Sequence, residues 1–199
     1  MSDPQPVFAL SVPVILGSVR RDRVGIRAAR LVIAALTARG HRPELVDPVV
    51  EQLPLLDRMY KEYPKGQAPA GLKRLAELYR RADGFMIVSA EYNNGIPPAL
   101  KNLLDHFLEE YFWRPSAIVC YSPGQFGGVR AAMQLRMTLA ELGMSSIPSI
   151  FPIPRITQAL DQDGRPLESW VESRLDRFLN EFCWYARAMQ RERADGTPY

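Results

Sequence analysis

The chain has 199 residues, 47% of them hydrophobic and 24% charged, which is typical of a soluble globular domain with one substantial core. Lys and Arg exceed Asp and Glu by 25 − 22 = 3, and no basic stripe with interleaved aromatic residues accompanies this mild excess, so a nucleic-acid partner is not expected. The sequence has no N-terminal secretion pattern and no run of about 20 apolar residues, so we expect a cytoplasmic protein without a membrane partner.

The cysteines and histidines do not predict a metal site. Cys120 lies in an apolar strand-like run and Cys183 in a helical one, as expected of two buried thiols in a reducing compartment. Neither His41 nor His106 sits near a second type of metal ligand, so we expect no bound metal.

The first predicted strand, residues 12–17, ends in a loop that has the parts of an anion site. This loop, residues 17–25, reads GSVRRDRVG and leads into a helix that runs to about residue 39. Free backbone N–H groups, the helix dipole and forked guanidinium donors all favour an anion, and phosphate is the one we expect. The alternative is that the arginines only solvate the loop. The GxGxxG and GxxxxGK[ST] patterns are both missing, which disfavours a conventional Rossmann dehydrogenase and a P-loop nucleotide hydrolase.

A long irregular segment follows the second predicted strand, residues 43–47. It covers residues 48–69 and is too rich in proline and aromatic residues for a flexible linker. Its Met59, Tyr60 and Tyr63 could form a lid or a partner surface, or the segment could pack on its own molecule.

The rest of the chain alternates predicted helices and strands. The helices are predicted at 71–82, 96–108, 129–142 and 171–189, and the strands at 85–89, 116–121 and 147–152. Pro97 and Pro98 suit the first turn of the 96–108 helix, where an N–H group has no intrahelical partner. Polar or glycine-rich turns at 91–95 and 122–128 connect two of the strands to the helices that follow them.

This alternation predicts an α/β protein with a flavodoxin-like fold, a three-layer sandwich. We expect one domain over residues 1–199, with its core at about 12–190, and a five-stranded parallel sheet of order 2-1-3-4-5. In this order the ligand lies outside the carboxyl ends of strands 1 and 3, which brings the Ser18 and Glu91 loops side by side.

Three loops together resemble the NAD(P)H-dependent FMN reductases of flavodoxin-like fold, a family that includes proteins described as chromate, quinone and azo reductases. The matching segments are GSVRRDRVG at 17–25, AEYNNGIPPALKNLLD at 90–105 and SPGQFGGVRAAMQLR at 122–136, within about residues 12–145. The resemblance implies an enzyme in which FMN takes a hydride from NADPH or NADH. The electrons then pass to a small molecule such as a quinone, a free flavin, an azo compound or an oxidised metal.

The resemblance also implies which residues bind the cofactor. Ser18, Arg20 and Arg23, with the backbone around Val24 and Gly25, are implied to hold the FMN phosphate; Glu91, Tyr92 and Asn93 to pass along the isoalloxazine and ribityl portion; and Ser122, Gly124, Gly127 and Gly128 to close the other side of the ring. No catalytic side chain is expected, because the hydride chemistry belongs to the cofactor.

Further expectations concern one glycine and two more arginines. We expect Gly124 to lie where the backbone approaches the flavin or adopts a positive φ. Arg20, Arg130 and Arg136 are candidates for contacting the anionic nicotinamide nucleotide, although Arg130 and Arg136 can equally be surface or interface residues.

The chain departs from the family pattern at three positions, and two other functions stay open. Many members have proline where Ala90 stands, and some have serine and asparagine where Arg23 and Gly25 stand.

The alternative function is that of a flavodoxin-type FMN electron carrier without its own pyridine-nucleotide reductase activity. Such carriers are generally acidic and have a hydroxyl-rich phosphate loop, unlike this slightly basic chain. A flavin-free scaffold protein is the third interpretation.

The end of the 96–108 helix predicts self-association. Apolar and aromatic residues there form more surface than one edge of a sheet should need to bury: Phe107, Leu108, Tyr111, Phe112 and Trp113. We therefore expect a homodimer or homotetramer whose interface borders the flavin, as the resemblance also implies. The alternative is that these aromatic residues cover the fourth strand of their own chain.

Overall fold

The computed structural model describes residues 9–199 and contains a five-stranded parallel sheet of order β2-β1-β3-β4-β5, which confirms the predicted flavodoxin-like topology. The strands are β1 (Ser11–Leu16), β2 (Arg42–Val46), β3 (Phe85–Ala90), β4 (Arg114–Tyr121) and β5 (Met144–Ile153). All six residues of the central strand β3 are buried, because helices cover both faces of the sheet.

Helices flank the sheet on both sides. They are α1 (Gly25–Ala38), α2 (Pro48–Glu51), α3 (Ala70–Arg80), α4 (Pro98–Asp105), α5 (Val129–Glu141), α6 (Ile156–Ala159) and α7 (Ser169–Ala194), with 3-10 turns at Tyr60–Glu62 and Glu109–Tyr111. Residues of α1 and α7 pack on one face of the sheet, and residues of α3, α4 and α5 pack on the other. Because the strands are parallel, their carboxyl ends meet at one edge, where loops lead into α1, α4 and α5.

The helix α4 is shorter than the predicted helix 96–108. It begins at Pro98 because Pro97 has an extended ψ of 135°, the conformation that a following proline imposes. It ends at Asp105, and the chain then turns through the 3-10 segment Glu109–Tyr111.

Two of the aromatic residues after α4 cover their own chain, which favours for these two the alternative to a predicted interface. Phe107 and Tyr111 are fully buried, and their rings pack edge-on against Tyr79 at 5.0 Å and Phe85 at 5.2 Å respectively. Because the helix stops at Asp105, the turn directs these rings towards α3 instead of along an exposed helical face. The other members of the group are half-buried: Leu108, Phe112 and Trp113.

The segment 48–69 also packs on the molecule itself, which favours the second of the two alternatives predicted for it. The backbone N–H of Tyr60 donates to the carbonyl of His106 at 2.8 Å, and the Tyr60 ring lies 5.9 Å from that of Phe107. Tyr63 is partly buried against the same core.

Both cysteines are free and buried, as predicted, but one histidine is not isolated from them. His41 Nε2 lies 3.2 Å from the Sγ of Cys183, which corrects the expectation that no second ligand type lies near a histidine. Burial lowers the pKa of His41 and raises the pKa of Cys183, so it favours the neutral form of both groups. Among residues 9–199, no group of three or more His, Cys, Asp or Glu could hold a metal ion, and no helix is long and apolar enough to cross a bilayer.

Candidate functional site

The loops that follow β1 and β3 meet at the carboxyl edge of the sheet, as the strand order predicts. The buried Ser18 hydroxyl and the Tyr92 hydroxyl are 2.6 Å apart. A hydrogen bond across 74 positions of the sequence therefore joins the two loops.

The first loop leaves the N-terminus of α1 open. The residue before the helix, Val24, provides no side-chain cap, and the first turn contains no acidic residue. Within the described chain, the N–H groups of Val24, Gly25 and Ile26 have no acceptor. Arg20 is exposed beside them, and its guanidinium makes no ion pair or hydrogen bond within residues 9–199. Unpaired N–H groups, a helix dipole and a free guanidinium together form a site for an anion.

The side chain of Tyr121 packs against the open N-terminus of α1. A Cβ added to Gly25 would lie 2.0 Å from the Tyr121 hydroxyl, so only glycine lets α1 start this close to the ring. Tyr121 ends β4 and is buried, and burial raises the pKa of its hydroxyl above the ordinary value. The sequence analysis did not select Tyr121, although its place as the last residue of a predicted strand at the ligand edge was a usable signal.

Arg23 is committed to a neighbouring carboxylate. Its Nη1 donates to Asp47 Oδ1 at 2.5 Å and to the Ser18 carbonyl at 3.0 Å, and its Nη2 donates to Asp47 Oδ2. Asp47 also accepts the N–H of Val49 at 2.9 Å and so caps α2. Sequence reasoning did not select Asp47, whose signal was an acidic residue at the carboxyl end of the strand beside β1.

The second loop is a tight turn from Tyr92 to Gly95. The two residues exchange backbone hydrogen bonds of 3.0 and 2.9 Å, and Asn93 and Asn94 between them have φ values of 49° and 67°. Asparagine tolerates this left-handed conformation better than most residues, which explains the Asn-Asn pair. The turn leaves Asn93 exposed on the rim.

Glu91 connects the second loop to the helix that follows the third. Its Oε2 accepts the backbone N–H groups of Arg130 at 3.0 Å and Ala131 at 3.3 Å, and its Oε1 accepts the Arg130 guanidinium at 3.2 Å. A carboxylate at a helix N-terminus stabilises the helix dipole. Glu91 is therefore the cap of α5, and it fixes the spacing between the two loops.

The third loop, residues 122–128, presents backbone donors. Within residues 9–199, the N–H groups from Gly124 to Gly128 have no acceptor. Gly127 and Gly128 have φ values of 62° and 79°, and a Cβ on Gly128 would lie 2.8 Å from the Tyr121 carbonyl oxygen. Gly124 does not have a positive φ, so of the two alternatives predicted for it only the approach to a ligand stays a prediction. The Ser122 hydroxyl donates to the Gly124 carbonyl at 3.0 Å.

The two arginines of α5 have different surroundings. The Arg130 guanidinium lies 4.4 Å over the ring of Phe126, at the rim of the third loop. Arg136, two turns further along, donates to the carbonyls of Ile147 and Pro148 and so holds α5 to β5. Arg130 therefore lies at the site, whereas Arg136 has a packing role at the surface.

Comparison with known proteins identifies the family. Residues 10–158 match the family described as NADPH-dependent FMN reductase. The chain belongs to this family. A quinone reductase of Pseudomonas putida is 33% identical over 185 residues, 89% of this chain and 95% of that protein. An NADPH azoreductase of Bacillus sp. (strain OY1-2) is 28% identical over 155 residues, 76% of this chain and 85% of that protein.

Solved structures share the fold of this FMN reductase family member. The structure of a flavoenzyme NAD(P)H:(acceptor) oxidoreductase from Paracoccus denitrificans covers 91% of this chain and 99% of its own, with a TM-score of 0.75 and 21% identity. The resemblance of the three loops to the FMN reductases, predicted from their sequences, is thus confirmed at the level of the family.

The residues present fit FMN. The open N-terminus of α1 and the free Arg20 suit a phosphate dianion. Because Gly25 has no side chain, this end of the helix can lie close to the Tyr121 ring. The free N–H groups of the third loop suit the carbonyl and nitrogen acceptors at the pyrimidine edge of a flavin.

Proposed function

We propose that this protein is an NAD(P)H-dependent FMN reductase that takes a hydride from NADPH or NADH and reduces a small acceptor. The acceptor class is a quinone, a free flavin, an azo compound or an oxidised metal. The observation that carries the proposal is the open N-terminus of α1 and the free Arg20 of the loop before it, together with the unpaired N–H groups of the third loop. The quinone and azo reductases among its relatives support the acceptor class.

The proposed cofactor-binding residues act in three groups. The first group holds the phosphate: Ser18, Arg20 and the backbone at Val24 and Gly25, with Arg23 keeping their loop in place. The second group lies along the ring and the ribityl chain: Glu91, Tyr92 and Asn93. The third group closes the far side of the ring: Ser122, Gly124, Gly127 and Gly128. Because the Glu91 carboxylate caps α5, its contribution is the position of the Tyr92 turn.

The chain's own part in the reaction is binding and orientation. Bound FMN supplies the hydride chemistry, so the protein need not provide an acid or a base. The Ser18–Tyr92 hydrogen bond and the Glu91 cap fix the three loops relative to one another. Arg20 places positive charge at the rim, which favours the approach of an anionic nicotinamide nucleotide, and Arg130, although paired with Glu91, is a further candidate contact for it.

Turnover tests this proposal. Purified protein loaded with FMN is expected to oxidise NADPH continuously when a benzoquinone is supplied, and the same protein freed of flavin is expected to be inactive. A flavin-loaded protein that oxidises neither NADPH nor NADH would leave the electron carrier as the function. A protein that takes up no flavin would leave the scaffold.

Self-association and cellular location complete the proposal. The protein is a cytoplasmic homodimer or homotetramer, and an exposed face of α5 beside the site is the surface through which copies associate. Its apolar members are Met133 and Met137 of α5, which are 47% and 70% exposed, and Phe126 of the preceding loop, which is 53% exposed. Two free buried thiols suit a reducing compartment.

Sedimentation at micromolar concentration checks the oligomer. The wild-type protein is expected to sediment as a dimer or larger, and replacing Met133 and Met137 together by lysine is expected to yield monomers, because two charges would enter the interface. Leu167→Lys, at a residue that is 60% exposed elsewhere, is the matched control and should leave the mass unchanged. A monomeric wild type that keeps its flavin would contradict this part of the proposal.

A further inference from the structure

Asp47 is a buried carboxylate that reaches the proposed phosphate loop through Arg23. The Asp47 side chain is 8% exposed and that of Arg23 is 16% exposed. Arg23 in turn donates to the Ser18 carbonyl at 3.0 Å, so the contacts run in one line from the end of β2 to the residue whose hydroxyl meets Tyr92.

The geometry of the Arg23–Asp47 pair fixes the position of the Arg23 side chain as well as balancing its charge. Both terminal nitrogens of Arg23 face the two oxygens of Asp47, an arrangement that fixes the plane of the guanidinium as well as its position. Asp47 is itself fixed by the N–H of Val49 at the start of α2. Arg23 lies in the loop between Ser18 and the open N-terminus of α1, so the pair connects this part of the loop to the end of β2.

An unpaired carboxylate here would disfavour an anion in the site. At these short distances Arg23 neutralises Asp47, so the charge that the open helix end and Arg20 offer to a phosphate is not cancelled. The pair therefore has two effects on the loop, fixing its shape and removing a nearby negative charge.

We propose that Asp47 is a positioning residue for the FMN phosphate, acting through Arg23, and that it sets the preference of the site for FMN over riboflavin. This inference rests on the proposed function, because it assumes that the loop binds the phosphate of FMN. It gives Arg23 the role of a clamp, in contrast to the direct phosphate ligand that the family resemblance implies.

The test compares Asp47→Asn with Glu51→Gln by titrating flavin-free protein with FMN and with riboflavin. Asparagine keeps the cap on Val49, since it is as good an N-cap as aspartate, but it loses the charged pair. Glu51 is two residues from Val49 on the same short helix and pairs with Arg74, so it controls for the loss of a neighbouring ion pair.

Asp47→Asn is expected to weaken FMN by roughly tenfold or more, as expected for the loss of charge-assisted hydrogen bonds that position the loop, and to leave riboflavin affinity unchanged. Glu51→Gln is expected to leave both affinities unchanged. An equal loss for both flavins would assign Asp47 a general structural role and overturn the inference. Unchanged FMN binding would also overturn it, because Asp47 would then have no part in phosphate binding. Tighter FMN binding would overturn it as well, because Arg23 would then be a phosphate ligand that Asp47 withholds.

Two further measurements keep the test decisive. If Asp47→Asn does not fold, Asp47→Ser replaces it, since serine also caps a helix but has no carboxylate; a selective loss of FMN is expected, and wild-type selectivity overturns the inference. If the wild-type protein binds FMN and riboflavin equally, the proposed function fails first. If the wild type prefers FMN and Asp47→Asn prefers it as strongly, only the inference fails.

Discussion

Replacing Gly25 by alanine is expected to weaken FMN binding by roughly 10- to 100-fold, the equivalent of about 1–3 kcal/mol of overpacking that falls on the phosphate loop. The new Cβ would lie 2.0 Å from the hydroxyl oxygen and 2.3 Å from the Cζ of Tyr121. The Tyr121 ring cannot move away easily, because Tyr121 is 3% exposed and ends the inner strand β4. The start of α1 must therefore shift, together with the N–H groups that face the anion.

The matched control is Gly71→Ala. Gly71 lies in the first turn of α3, and a Cβ added there would meet nothing within 4 Å. That change is expected to leave FMN binding unchanged and to raise the free energy of unfolding slightly, by about 0.4–1 kcal/mol, because alanine restricts the unfolded chain. Flavin titration and chemical unfolding of both variants provide the measurement. Wild-type FMN affinity in Gly25→Ala would show that the contact with Tyr121 does not shape the site.

Replacing Arg20 by alanine is expected to weaken FMN by about 10- to 100-fold, since a charge-assisted hydrogen bond contributes roughly 1.5–3 kcal/mol. Arg20 is exposed and has no partner among residues 9–199, so its removal leaves no buried group unpaired and disturbs no packing. The loss should therefore appear in FMN binding and leave the free energy of unfolding unchanged.

Riboflavin and a distant arginine control this second experiment. Riboflavin lacks the phosphate, so its affinity should be the same for the wild type and Arg20→Ala. Arg191→Ala removes another exposed charge, near the end of α7, and should change neither affinity. If Arg191→Ala weakened FMN as much as Arg20→Ala does, the effect would belong to net charge and not to a phosphate contact.

The sheet order and the neighbouring loops could be predicted from the sequence because they depend on short apolar runs and chirality alone. A run such as FMIVSA can be buried on both faces only in the interior of a parallel sheet, and right-handed crossovers then place Ser18 and Tyr92 at one edge. The contacts of Asp47 and Tyr121 could not be predicted in the same way. They depend on how far the strands twist and on which rotamers the side chains adopt.

Two details of the structure differ from what the sequence pattern favoured, each for its own physical reason. The aromatic residues from Phe107 onward looked like surplus apolar surface because the helix was extended past Asp105, where the chain in fact turns inward. The loop 122–128 contains three glycines, and its sequence does not say which of them adopts a positive φ. In the structure Gly127 and Gly128 adopt it, and both also lie close to neighbouring backbone, that of Pro154 and Tyr121 respectively.

Anaerobic mixing of the FMN-loaded protein with NADPH tests the central claim most directly. The absorption of the oxidised flavin is expected to be lost in a single reduction by NADPH and to return in full when a benzoquinone is added in the absence of oxygen. NADH should be tried in parallel, since the two nucleotides differ in a phosphate that the positive rim can contact. A protein that holds its FMN firmly, but whose flavin neither nucleotide reduces, would contradict the account.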